Sequence, residues 1–269
     1  MTTTTGFSDV DRSGRSAELV DYLTLLASRL GDFRREGYEM LGLRSGTAFL
    51  DVGCGAGEVC VEIAAQVGPE GRVAGIDRSA AMIEAAQGAA AKSGRAIDLR
   101  VGSAYELPFA DQSFDAVRAE RLLQHLEDPE AALREMLRVA KPGGKLLLMD
   151  PDHGQAGLAV DEPAQRRVFE AARRSLLSMI VNPHSGVRLR GMLMRAGLSE
   201  VRQRTRVFDV PHEDFSKTFF LHDLLDAAVA REEIARADAK AFVDALARRE
   251  HEGLFFAYAI GYAVSGTKQ

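Results

Sequence analysis

Apolar positions along the chain follow two alternating rhythms. Between Ser16 and Leu43, Leu19, Val20, Leu23, Leu26, Leu30 and Phe33 recur at helical spacing among charges, which predicts one or two amphipathic helices. From Thr47 the runs shorten. Thr47–Val52, Arg72–Asp77, Ala96–Val101, Ser113–Ala119 and Lys145–Asp150 are brief apolar segments bounded by turn residues, and each predicts a buried strand. Helical stretches separate them at Glu58–Val67, Ser79–Lys92 and Pro129–Ala140, the last stopped by Lys141-Pro-Gly-Gly144. Strands and helices alternating at this spacing predict an α/β fold: a doubly wound, parallel sheet covered on both faces.

Beyond Asp150 the rhythm breaks. Residues 152–187 read as helical and mobile, Val187–Ala196 as a further helix, and Glu200–Val210 as an alternating strand. Residues 215–252 are mostly helical in pattern, and the apolar run Leu254–Val264 reads as a closing strand. Residues 1–15, rich in Thr, Ser and Gly, read as a frayed tail. With no repeat and no Pro/Ser-rich linker, the expected organisation is N-terminal tail and helices (1–45), a strand–helix core (46–152), and cap helices with closing strands of the same domain (153–269).

Composition narrows the function classes. The chain has 269 residues, 46% of them hydrophobic, and a formal net charge of -5. That apolar share excludes a disordered or fibrous chain, and no segment reaches the ~20 uncharged apolar residues of a membrane helix. Mild acidity without an appended basic module argues against nucleic acid as a partner. The first residues lack the basic and apolar regions of a signal peptide, so a cytoplasmic protein without membrane insertion is expected. Two Cys and six His are scattered without ligand spacing, so neither a disulfide framework nor a metal site is expected.

The segment Phe49-Leu-Asp-Val-Gly-Cys-Gly-Ala-Gly57 carries the most chemistry. Gly53, Gly55 and Gly57 fall where the first strand turns into the first helix, so the bare backbone can approach a ligand at the carboxyl edge of the sheet. Several nucleotide binders share such a turn, but here the spacing is G-x-G-x-G, with Glu58 at the third glycine position of the dinucleotide pattern. Asp77 ends the second strand at the distance of a carboxylate that accepts from ribose hydroxyls. A nicotinamide oxidoreductase shares the turn and the acid.

Leu50-Asp-Val-Gly-Cys-Gly-Ala-Gly57, Gly75-Ile-Asp-Arg78 with Ala81-Met-Ile83, Leu107-Pro-Phe-Ala-Asp-Gln-Ser-Phe-Asp115, Arg121-Leu-Leu-Gln-His-Leu-Glu-Asp-Pro129 and Arg138-Val-Ala-Lys-Pro-Gly-Gly144 together resemble class I S-adenosylmethionine-dependent methyltransferases. Their order resembles the small-molecule branch that includes the ubiquinone and menaquinone methyltransferases. The resemblance is dense over residues 45–152 and thinner at Leu189–Val201. It implies a Rossmann-like, mostly parallel seven-stranded sheet whose last strand is antiparallel. Asp51, Gly53, Gly55 and Gly57 would line the amino-acid end of S-adenosylmethionine, Asp77 the ribose, and Arg78 and Met82 the adenine. Ser103 and Ala104 would reach the adenine edge, and the backbone at Glu120 would run beside the sulfonium. Many relatives have an acid at Ser103, so the adenine contact here loses its charge-assisted form.

Methyl transfer from a sulfonium needs alignment and exclusion of water, and a base only where the nucleophile carries a proton. By the resemblance, His125 is the candidate to accept that proton or orient the acceptor, with Asp150 or His153 in support. A structural histidine capping the adjacent helix is the competing reading of His125. Cys54 reads as a small filler at the crowded turn. Met- and Phe-rich segments containing Tyr22, Leu176, Met179, Phe215 and Phe219 suit a small, partly apolar acceptor and equally a packed cap, and the stripe around Arg166, Arg173 and Arg190 reads as a solvated face. The expected protein is a cytoplasmic monomer or homodimer methylating a natural-product or quinone-like acceptor in secondary metabolism. Two alternatives stay open: an NAD-dependent oxidoreductase, and an S-adenosylmethionine-binding cyclase or binding module without methyl transfer.

Overall fold

The structure is a computed structural model that describes Asp11 and residues 16–269, with side chains from residue 29 onward. The expected tail, and the side chains of Leu19, Val20, Tyr22, Leu23 and Leu26, lie outside the described residues. One helix, α1 (Ser16–Leu41), precedes the core. There follow β1 (Ala48–Val52), α2 (Glu58–Val67), β2 (Arg72–Asp77), α3 (Ala80–Ser93), β3 (Asp98–Val101), β4 (Phe114–Glu120), α4 (Pro129–Val139) and β5 (Ala140–Pro151). Then come β6 (Gly157–Leu158), α5 (Pro163–Met179), α6 (Ser185–Arg195), β7 (Ser199–Asp209), α7 (His212–Thr218), α8 (Leu221–Ala230), α9 (Arg236–His251) and β8 (Ala257–Thr267).

Strands β3, β2, β1, β4 and β5 lie side by side and parallel, and β8 continues the sheet antiparallel to β5. The outer edge of β8 pairs with β7, also antiparallel. The mostly parallel α/β sheet with an antiparallel last strand is therefore as expected, with one addition. Tyr258 pairs with both Gly157 and Asp209, so the two-residue β6 occupies the edge that β5 vacates after Pro151. Gly157 permits this, because a Cβ there would stand 2.3 Å from the Tyr258 ring.

Each face of the sheet buries its own core. Phe33, Tyr38 and Leu41 of α1, Ile63 of α2 and Ile83 of α3 cover Phe49, Leu147 and Met149 on one side. Leu133 and Met136 of α4 and Leu189 and Leu193 of α6 cover Leu50, Val117 and Leu148 on the other. A third apolar cluster joins Leu176 of α5, Phe215 of α7, Leu224 of α8 and Phe242 of α9, the segments whose pattern breaks the strand–helix rhythm. The closing strand starts later than its apolar run: Leu254 and Phe256 are exposed, because apolar content alone does not distinguish a strand from the turn leading to it.

Candidate active site

The glycine turn is built by backbone geometry. The amides of Gly53 and Cys54 both donate to the Ile76 carbonyl (2.8 and 3.0 Å), tying the end of β1 to β2. Gly53, Gly55 and Gly57 have φ of 76°, 53° and 79°, a region costly for side chains with a Cβ. Gly57 has a second reason: a Cβ there would lie 2.7 Å from that of Ala86, so it sets the contact of α2 with α3. Asp77 braces the turn opposite, its Oδ2 accepting from the Gly55 amide (3.0 Å) and its Oδ1 from the Ser79 amide (2.9 Å). Burial raises the Asp77 carboxyl, and these two donors oppose the rise. Ser79 caps α3 by accepting from Met82, and the Asp11 carboxylate accepts from the Ala80 amide at the same helix end (3.0 Å).

A cleft opens at this edge of the sheet. Gly53, Gly55, Asp77, Arg78, Met82, Ser103, Ala104 and Glu120 all line it, eight of the ten residues expected on the cofactor. Apolar Val52, Ile76, Leu122 and Leu126 complete the walls and were not singled out from sequence, because each reads there as ordinary core. His125 and Arg121 line the same cleft. Asp51 and Gly57 do not line it. Gly57 packs on α3, and Asp51 is 1% exposed and paired with Arg118 at 2.7 Å. The residues present fit an adenosyl group: an acid for a diol, bare glycine backbone, and an apolar slot.

Beneath the cleft runs a closed set of charges that periodicity cannot reveal. The Arg118 guanidinium, 2% exposed, donates to Asp51 and to Glu120. Glu120 also accepts from Arg34 Nε of α1, at 2.8 and 3.1 Å. Burial raises the Asp51 carboxyl, and Arg118 counters it. Two acids and two guanidiniums thus neutralise one another, as burial requires. An Arg inside the apolar run Phe114–Glu120 was the available signal.

The catalytic candidates are joined through Gln124, a polar residue of the same loop whose bridging role has no signature in sequence. Gln124 is 1% exposed, and its backbone amide donates to Asp150 Oδ2 (3.1 Å). Its side-chain oxygen lies 2.7 Å from His153 Nε2 and its side-chain nitrogen 3.0 Å from His125 Nε2. His125 faces the cleft, whereas His153 lines a narrow apolar pocket beside Leu176, Phe215 and Phe219. Burial lowers both imidazoles to about 3, assisted by the Arg121 charge. Burial pushes the Asp150 carboxyl up to about 7, against the opposing effects of Ser185, Arg121 and the Gln124 amide. Among the described residues, no group of three or more His, Cys, Asp or Glu is placed to hold a metal ion.

A second cavity of about 410 Å³ adjoins the cleft, and Glu120 and Arg121 line both. Its walls are Leu30 and Phe33 of α1, Met149 and Asp150 of β5, Val207 and Phe208 of β7, Thr218 of α7, and Ile260 and Tyr262 of β8. Most of its ionised groups are internally paired: Arg29 with Asp214 (2.5 Å), Arg206 with Glu36, Glu120 with Arg34. Apart from Glu120, Arg121 and Met149–Pro151, its lining comes from α1, β7, the turn into α7, α7 and β8, so parts outside the regular strand–helix core largely shape it.

Comparison with known proteins agrees with this geometry. A sequence model of the methyltransferase-domain family matches residues 43–181, just over half of the chain. The chain belongs to this family, which defines its class: a methyltransferase domain on a Rossmann-like sheet. A demethylmenaquinone methyltransferase of Listeria monocytogenes is 34% identical over 54% of this chain and 59% of its own length. The chain spans little more than half the length of the curated relatives it matches first. Among solved structures, a putative methyltransferase of Bacillus halodurans aligns with a TM-score of 0.57 at 18% identity, covering 87% of this chain and 97% of that one. A [4+2]-cyclase, SpnF, aligns with a TM-score of 0.53 at 26% identity, covering 90% of this chain and 81% of that one. No helix among the described residues is long and apolar enough to cross a membrane.

Proposed function

We propose that the chain binds S-adenosylmethionine in the glycine-lined cleft and transfers its methyl group to a small, partly apolar organic acceptor held in the adjoining cavity. The observation that carries this reading is the meeting of the two spaces at Glu120 and Arg121, one lined by glycine backbone and Asp77, the other by apolar side chains among mostly ion-paired charges. When bound, the cofactor would supply a methyl group activated on sulfur for in-line transfer to the acceptor, with S-adenosylhomocysteine as the leaving group. Asp77 accepts from the ribose, Gly53 and Gly55 admit the amino-acid end, and Met82, Ser103 and Ala104 bound the adenine. Asp51 supports that end indirectly, through Arg118 and Glu120. His125 orients the acceptor side of the cleft, with His153 and Asp150 in support. Leu30 and Phe33 of α1, with Val207 and Phe208 of β7, help to keep water from the transfer.

A natural-product or quinone-like acceptor suits the size and lining of the cavity, and the reading carries with it a role in the cytoplasm. A second reading, cyclisation without methyl transfer, is favoured by the likeness to the [4+2]-cyclase. Calorimetry with S-adenosylmethionine, S-adenosylhomocysteine and NAD tests the cofactor: both sulfur ligands bind and NAD does not. Asp77→Ala lowers that affinity about tenfold or more, roughly 1.4 kcal/mol. Absence of binding by both sulfur ligands overturns the reading. Mass spectrometry of acceptor mixtures then separates a product one methyl heavier from an isomer of unchanged mass.

A further inference from the structure

We propose that Gln124 is a positioning residue whose side-chain amide holds His125, beside the cleft, as a neutral ring protonated on Nδ1 with its Nε2 lone pair occupied, so that His125 does not act as a base. The role at the cleft rests on the methyltransferase reading above; the protonation state does not.

The orientation of the amide follows from its neighbours. Gln124 Nε2 lies 3.1 Å from the Arg121 carbonyl oxygen and 3.0 Å from His125 Nε2, while Gln124 Oε1 lies 2.7 Å from His153 Nε2. The reversed amide would set one carbonyl oxygen against another, and a buried arrangement of that kind has no compensation. The nitrogen therefore faces Arg121, and its two hydrogens are both used: one on that carbonyl, one on His125 Nε2. His125 Nε2 must then accept, which leaves its ring proton on Nδ1. The oxygen must accept from His153, which puts the His153 proton on Nε2. Two tautomers of opposite kind follow from one amide.

The same bonds exclude a proton on His125 Nε2, since that N–H would point at an amide N–H. The charged groups around the pair act in the same direction. Arg78 at the end of β2 and Arg121 after β4 stand near His125, and Arg121 and His184 near His153. The acids on the neighbouring elements each have one oxygen engaged elsewhere. Asp150 accepts from the Gln124 backbone, and Asp152 lies 3.1 Å from His184. A base that works near neutrality needs a free lone pair and a cation the site can tolerate. His125 Nε2 has neither.

Long-range ¹H–¹⁵N NMR of the full chain labelled in histidine tests this directly. Signals are assigned by their loss in His125→Asn and His153→Asn. The expected result is His125 neutral and protonated on Nδ1, His153 neutral and protonated on Nε2, and neither titrating between pH 5 and pH 8. A His125 signal protonated on Nε2, or one titrating near its ordinary value of 6.5, overturns the proposal. In Gln124→Met the His125 tautomer becomes mixed and the ring begins to titrate; an unmoved spectrum would show that Gln124 does not set it. Calorimetry of the same samples with S-adenosylhomocysteine reports separately on the cofactor reading.

Discussion

At the scale of single residues, the site is a place where burial and charge are balanced pair by pair. Asp150 shows the sign most clearly. Its carboxyl is raised from 3.8 to about 7, so between these values the folded protein keeps a proton that the unfolded chain has lost. That contribution is complete below pH 3.8 and is lost as pH rises through about 7. Asp150→Asn removes it while keeping an acceptor for the Gln124 amide. The stability difference between this variant and the natural protein should therefore grow in the variant's favour across that window and then level off. Urea unfolding at several pH values measures it, and a difference flat in pH contradicts the assignment. His125 and His153 carry the opposite sign, since both are lowered from 6.5 to about 3 and oppose folding as pH falls below 6.5. Asp77, Gly53 and Gly55 were legible from spacing alone, because a turn that approaches a ligand tolerates few residue types. Arg118 and Arg34 were not, nor were the two histidine partners of Gln124, since a polar residue within a strand, loop or helix carries no periodic sign of its partner.

At the scale of elements, α1 serves the core of the sheet and the cavity at once. Phe33 is buried against the sheet and meets the Phe208 ring of β7 edge-on at 5.4 Å, while Arg34 on the next position reaches Glu120. Phe33→Ala should cost about 3–5 kcal/mol, the usual range for a large aromatic removed from a packed core. Urea unfolding measures this through its midpoint. An unchanged denaturant slope indicates that α1 stays docked, whereas a smaller slope indicates that it has detached from the folded state. The strand and helix spans from β1 to β5 were read from the chain to within two residues except at the start of β5. There Lys141–Gly144 belong to the strand as an irregularity, with Phe114 opposite Ala140 and Ala116 opposite Lys145. A Pro-Gly-Gly sequence spells a turn locally, and only pairing with β4 extends the strand through it. β6 left no signal at all, because two residues cannot show an alternating pattern.

At the scale of the whole molecule, the cofactor cleft and the second cavity should be separable by substitution. Val207 is 57% exposed and lines the cavity but not the cleft. Val207→Trp should leave the affinity for S-adenosylhomocysteine within about twofold and raise the acceptor KM about tenfold or more, the pattern of lost acceptor binding. Calorimetry and initial rates read the two effects; an equal loss of both would show that the spaces do not divide the ligands as proposed. The sequence by itself determined the class of protein: the alternation of short apolar runs with amphipathic helices specifies the sheet, and the glycine turn with Asp77 specifies what its edge can bind. Both signals are local, written within one strand, one turn or one helix face. Only the tertiary structure decided that Asp51 turns inward to Arg118, that Gln124 stands between two histidines, and that α1, β7, α7 and β8 enclose a space beside the cleft. Those arrangements join residues as far apart as Arg34 and Glu120 or Phe33 and Phe208. Their partners are set by how helices and strands pack across the sheet, which no spacing along the chain encodes.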